Sequence, residues 1–168
     1  MKKHLPNLLT LINILLGIAA TSLLIQTNFS EKVTISASLI ILGGICDFFD
    51  GYLARKLNAV SNLGKQLDSF ADLITFGIAP IFLLNYLTSQ VYITIISGLF
   101  LIAGIYRLAR HNITSLNDYF SGLPITAAGI LLVVYAAIFS HAHTIITILF
   151  IILLASLMVS KVKIRKIH

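Results

Sequence analysis

The sequence predicts an all-α membrane protein, a single domain over residues 1–168 in which six helices cross the bilayer. Three observations carry that prediction. Hydrophobic residues make up 58% of the 168 residues and charged ones only 11%, more apolar surface than a soluble domain of this size can hide. The apolar residues fall into stretches approaching the 20 or so that a spanning helix needs. The net charge is +6, and the basic residues are dispersed between apolar segments. That distribution fits membrane orientation and argues against a nucleic-acid surface.

Taken in order, the first helix covers Leu8–Ile25 after a short basic start and Pro6. It is too long for a signal peptide and has no small-residue cleavage site, so it is expected to stay. Asn7, Thr10 and Asn13 recur every three residues as a polar seam along it. Such a seam serves either hydrogen bonding between helices or the lining of a polar headgroup or nucleotide site. The second helix runs from Val33 to about Arg55, with Gly43–Gly44 allowing close approach. After the helix-unfriendly run Asn58–Asn62, the third runs from about Gln66 to Leu87, with a kink expected at Gly77 and Pro80. The fourth covers Val91–Ala109, the fifth begins on Pro124 and ends near Ser140, and the sixth covers Thr144–Val159.

With the N-terminus cytoplasmic, this count puts the turns at 56–66 and 107–122 and the C-terminus on the cytoplasmic side. Lys2, Lys3, Arg55, Lys56, Lys65, Arg107, Arg110, Lys161, Lys163, Arg165 and Lys166 then all lie there, leaving only Lys32 outside. A multi-pass protein of the cell membrane with both termini in the cytoplasm follows from the positive-inside rule. The lone Cys46 permits no internal disulfide. His141 and His143 fall in an outer turn, far from the acidic residues.

Four of the six acidic residues sit between Asp47 and Asp72. Asp47 and Asp50 share one helix face, as do Asp68 and Asp72. Two helices joined by a polar turn would thus present two carboxylates each towards the other. Insertion scales charge roughly 2.5–3.5 kcal/mol for a central Asp, and one arginine with nearby lysines does not neutralise four. Hard divalent cations held through oxygen would. Two such ions about 3.5–4 Å apart form a known clamp for phosphoryl displacement.

The spacing Asp47-x2-Asp50-Gly51-x2-Ala54-Arg55-x8-Gly64-x3-Asp68-x3-Asp72 matches the CDP-alcohol phosphotransferase signature at each of its eight fixed positions. The flanking DFFDG, ARKLNAVS, LDSFADLITFGIAP, GLPITAAG and LMVSKVKI resemble the integral-membrane phosphatidylserine synthases of that family over nearly the whole chain. The resemblance implies a cytoplasm-facing di-metal cleft with Mg2+ or Mn2+, two ions, and a homodimer among membrane lipids. It implies attack of an alcohol hydroxyl, that of L-serine, on CDP-diacylglycerol with release of CMP. Asp47, Asp50 and Asp68 would be metal ligands; Asp72 would be the catalytic base, also touching a metal. Gly51, Ala54 and Gly64 would admit the nucleotide and Arg55 would pair with phosphate, with Asn7 and Thr10 on the same CDP-lipid site. Arg107, Arg110 and Lys65 are candidates for the acceptor or a lipid phosphate. One departure is Thr126, which stands in GLPITAAG where the family pattern has a second proline.

Two alternatives stay open on the sequence. Another acceptor, such as glycerol 3-phosphate or inositol phosphate, would want a stronger cationic pocket. A divalent-cation transporter would use the carboxylates as its ion site, although such sites favour the bilayer midplane and repeated halves.

Overall fold

The computed structural model describes residues 4–26, 31–113, 119–139, 144–160 and 163–165. Six helices form the bundle: α1 Leu5–Ile25, α2 Lys32–Lys56, α3 Asn62–Thr88, α4 Val91–Ile113, α5 Ile125–Ile138 and α6 Thr144–Val159. The first four are long and apolar enough to cross a membrane. The last two are apolar but shorter, 14 and 16 residues, or about 21 and 24 Å of helix. Large apolar side chains such as Leu15, Ile95, Ile102 and Leu149 stand more than half exposed on the outer faces. A bundle in lipid needs no polar exterior there.

Helix ends depart from the expected ones for local reasons. Pro6 fits the first turn of α1, where its missing N–H costs nothing, so the helix starts three residues early. Pro124 stands outside α5 as its N-cap, with φ −58° and ψ 142°. Helix α4 continues through Arg107 and Arg110 to Ile113, which carries the basic run RLARHN on helix instead of in a turn. The run after α2 is shorter than expected. Asn58, at φ 49°, takes the left-handed position of a Schellman motif, with Ala59 N–H bonding Ala54 O at 2.9 Å and Asn58 N–H bonding Arg55 O at 3.2 Å. Ser61 then caps α3 through Gly64 N–H at 3.0 Å. One addition to the all-α expectation is a three-residue antiparallel ribbon, β1 Tyr119–Ser121 with β2 Lys163–Arg165, in which Tyr119 pairs with Arg165. His141 and His143, and the lysines at 2, 3, 161 and 166, lie outside the described residues.

The expected kink in α3 takes the form of a π-helical stretch, Leu73–Ile78, inside a continuous helix. Pro80 can neither donate to Phe76 O nor sit close to it, and the wider turn accommodates both. Gly129 of α5 packs on that region: a Cβ there would fall on Phe76 O and its neighbouring backbone atoms. Phe76, Leu83, Phe100, Leu132 and Ile151 fill the core around this crossing.

Glycines also set the approach of α1 to α3. A Cβ at Gly17 would stand 2.9 Å from Thr75 Cα, which the backbone of α3 cannot avoid by a rotamer change. Gly17→Val is therefore expected to force α1 and α3 apart and lower stability by about 1–3 kcal/mol. Thermal unfolding of the purified protein in detergent reads this; an unchanged midpoint would mean that α1 does not pack on α3 as described.

Candidate active site

Both carboxylate pairs converge. Asp47 and Asp50 lie near the end of α2; Asp68 and Asp72 lie in the first turns of α3. Carboxylate oxygens of Asp47, Asp50 and Asp68 come within 4.8 Å of one another. Asp72 is not one of that close set. It is buried within α3, in hydrogen-bonding reach of Asp47, and its Oδ1 has no partner among the described residues.

Two hydroxyls hold the α2 pair. Thr10 of α1 donates to Asp50 Oδ2 at 2.8 Å, sharing its hydrogen with Pro6 O at 3.1 Å. Thr126, in the first turn of α5, donates to Asp47 Oδ2 over 3.5 Å. The buried Arg107 lies within electrostatic range of Asp47, Asp68 and Asp72. One buried cation for four carboxylates leaves the cluster strongly acidic. The donors are hard oxygens on two rigid helices, and the set fits a divalent cation of the magnesium or calcium type. Asp47, Asp50 and Asp68 are the residues placed to hold it.

A cleft of about 280 Å³ opens beside Asp50 and Asp68, close to the lower end of the range of small-ligand sites. Its walls bring together Asn7 and Thr10 of α1, Gly51, Ala54 and Arg55 of α2, and Gly64 and Lys65 of α3. Every candidate nucleotide-site residue named from the sequence is in that one cleft. Lys65, grouped from the sequence with the acceptor candidates, lies on the same wall. Gly51 is open towards the cleft, its would-be Cβ meeting only Arg55 Nη1 at 3.6 Å. Gly64 is closed in: a Cβ would press on Ser61 Oγ at 3.1 Å and Asn7 Oδ1 at 3.2 Å. Gly51 thus leaves backbone exposed to a ligand, while Gly64 lets the capped turn of α3 lie against α1.

The two arginines of RLARHN separate. Arg107 belongs to the carboxylate cluster, whereas Arg110 donates to Val159 O at 3.1 Å and Ser160 O at 3.2 Å, covering the carbonyl end of α6. From the same run, Asn112 Nδ2 donates to Ser69 Oγ at 2.9 Å and ties α4 beside Asp68. Thr126 and Asn112 were not among the site residues read from the sequence. The signal for Thr126 was its replacement of an expected proline by a hydroxyl; for Asn112 it was membership of a polar run at a helix end.

A family model, CDP-alcohol phosphatidyltransferase, matches residues 3–162. This chain is a member of that family. It is 42% identical over 135 residues to the CDP-diacylglycerol–serine O-phosphatidyltransferase of Bacillus subtilis, covering 78% of this chain and 74% of the relative. It is 40% identical over 147 residues to the enzyme of the same name from Methanocaldococcus jannaschii, covering 87% and 71%. A CDP-diacylglycerol–glycerol-3-phosphate 3-phosphatidyltransferase of Rickettsia typhi is 43% identical, but over 83 residues covering 49% and 46%. Membership in a family of transferases answers the transport alternative.

Proposed function

We propose that this protein is a CDP-diacylglycerol–serine O-phosphatidyltransferase that works in the cell membrane as a homodimer, with two Mg2+ or Mn2+ ions and with its active site and both termini facing the cytoplasm. The observation that carries this reading is the cleft, which gathers Asp50, Gly51, Ala54, Arg55, Gly64 and Asp68, six of the eight signature positions, beside the converging carboxylates. Serine as acceptor is supported by relatives of that name aligned over most of this chain. It is supported also by charge. Arg107 is the buried cation beside the cluster, and Arg110 is turned to the carbonyls of α6. A dianionic acceptor would want several cations converging; serine needs one for its carboxylate.

In the reaction the serine hydroxyl oxygen attacks the β-phosphorus of CDP-diacylglycerol. A new P–O bond forms, the bond to the CMP oxygen breaks, and CMP leaves. Divalent cations held by Asp47, Asp50 and Asp68 would neutralise the diphosphate and the departing phosphate. Thr10 fixes the Asp50 carboxylate, and Thr126 that of Asp47. Arg55 and Lys65 pair with phosphate at the cleft wall, and the exposed backbone at Gly51 lets the nucleotide lie close. Asp72, apart from the ligand triad and adjoining it, accepts the hydroxyl proton as general base. Arg107 pairs with the serine carboxylate.

Five measurements test this reading. Asp68→Ala should abolish both turnover and high-affinity Mn2+ binding. Asp72→Asn should lower turnover at least about a hundredfold while Mn2+ and CDP-lipid still bind; substantial turnover in that variant would remove Asp72 as the base. CMP release should depend on serine and respond weakly to glycerol 3-phosphate and inositol phosphate. Arg107→Gln should raise the serine KM about ten- to a hundredfold, with a smaller change for CDP-lipid. A preference for a phosphorylated alcohol would overturn the acceptor and leave the phosphotransfer mechanism intact. For topology, a cysteine at Asn62, in a background lacking Cys46, should react with an impermeant thiol reagent only from the cytoplasmic side. Labelling from outside would invert the orientation.

A further inference from the structure

One polar side chain of the α1 seam is used neither by the cleft nor by the carboxylate cluster. Asn13 is fully buried, and neither its Nδ2 nor its Oδ1 has a hydrogen-bond partner among the described residues. In a membrane bundle an unpartnered buried amide is costly and calls for an explanation. Asp72 Oδ1 and Ser97 Oγ are the other orphans among the described residues, and Asp72 Oδ1 is a buried acceptor to match a buried donor.

Register puts the two at similar depth on neighbouring helices. Asp47 of α2 and Asp72 of α3 belong to the carboxylate cluster, which Thr10 of α1 meets at Asp50. One turn deeper along the same helices stand Asn13, Gly43 and Thr75. Thr75 Oγ1 donates to Asn13 O at 2.9 Å, which fixes the depth of Asn13 against the turn that follows Asp72. A Cβ on Gly43 would come within 2.7 Å of Asn13 Oδ1 and 2.6 Å of Thr75 Cγ2. The deeper layer is thus built around a polar amide with glycine on the facing helix to admit it.

We infer that Asn13 is a positioning residue for Asp72, its Nδ2 donating through one buried water to Asp72 Oδ1. Asn13 and Asp72 supply the two to four polar groups such a water needs. The bridge holds the carboxylate in one rotamer and leaves its second oxygen to the acceptor hydroxyl. This rests on the assignment of Asp72 as the base. The two side chains make no direct hydrogen bond, so the proposed link runs through water.

The test compares Asn13→Leu and Asn13→Ser with Asp72→Asn in purified protein. Asn13→Leu should lower kcat about ten- to a hundredfold, with the KM for CDP-lipid and the Mn2+ affinity within threefold of the parent and the thermal midpoint unchanged or higher. Asn13→Ser supplies a hydroxyl donor in place of the amide and adds room for water, and should recover most of kcat. A kcat for Asn13→Leu within twofold of the parent, beside an inactive Asp72→Asn, overturns the positioning role alone. Loss of kcat together with the thermal midpoint in both Asn13 variants overturns it in favour of a packing role. Substantial turnover by Asp72→Asn overturns the assignment of the base, and this inference with it. If Asn13→Leu does not fold, an experimental structure of the metal-loaded parent decides: a water bridging the two atoms is expected, and an Asn13 amide bonded elsewhere refutes it.

Discussion

Concentrated negative charge in an apolar bundle is the constraint on which the rest of this structure depends. Asp47, Asp50, Asp68 and Asp72 come from two helices and meet beside a single buried arginine. Left alone, their mutual repulsion and loss of hydration would drive α2 and α3 apart. Several otherwise unrelated features oppose that. Thr10 and Thr126 tie the α2 carboxylates to α1 and α5, and Asn112 ties α4 to Ser69 beside Asp68. The bundle is thus cross-tied where its charge is most unfavourable, and a divalent cation would complete what the hydroxyls and Arg107 begin.

Geometry of α3 follows from the same constraint. Its first turns must present Asp68 and Asp72 to α2, while its later turns must pack Phe76 and Leu83 into the core. Pro80 widens the helix between those two tasks, and the π-helical stretch begins at the residue after Asp72. Such stretches gather at functional positions because they re-aim the side chains on either side. Gly17 and Gly129 let neighbouring helices close on the widened segment. The strain of an irregular helix is thereby confined by backbone contacts on two sides.

Much of this was legible in the sequence because the decisive signals are local. Helical spacing placed the aspartates in facing pairs, the fixed signature offered Gly51, Ala54, Arg55 and Gly64 to the nucleotide, and the polar seam of the first helix offered Asn7 and Thr10; all six line one cleft. The span count followed from hydropathy alone. What escaped the sequence depends on three-dimensional neighbours. Arg107 and Arg110 are both basic residues of one run and, three apart, lie one turn apart on the same side of α4, yet one stands beside the carboxylates and the other reaches the end of α6. No local signal separates them. Pro80 announced an irregularity without saying whether it would bend α3 or widen it. The ribbon between Tyr119–Ser121 and Lys163–Arg165 joins segments more than forty residues apart, and each is too short to carry an alternating pattern.

The arrangement around the cluster has two sides, and that asymmetry has chemical content. Asp50 and Asp68 line the cleft with Arg55, Lys65 and the open backbone of Gly51, the side to which the proposed reading assigns the nucleotide diphosphate. Asp47 turns to Thr126, and Arg107 and the buried Asp72 keep company with it away from the cleft wall. Displacement at phosphorus proceeds with nucleophile and leaving group roughly in line. A site with phosphate-binding groups on one side of its carboxylates and a base with a lone cation on the other matches that requirement. On the proposed reading, CMP departs into the cleft while the acceptor approaches from the Arg107 side. The acceptor side is then the place where relatives with different alcohols must differ, because the cleft binds a nucleotide common to all of them.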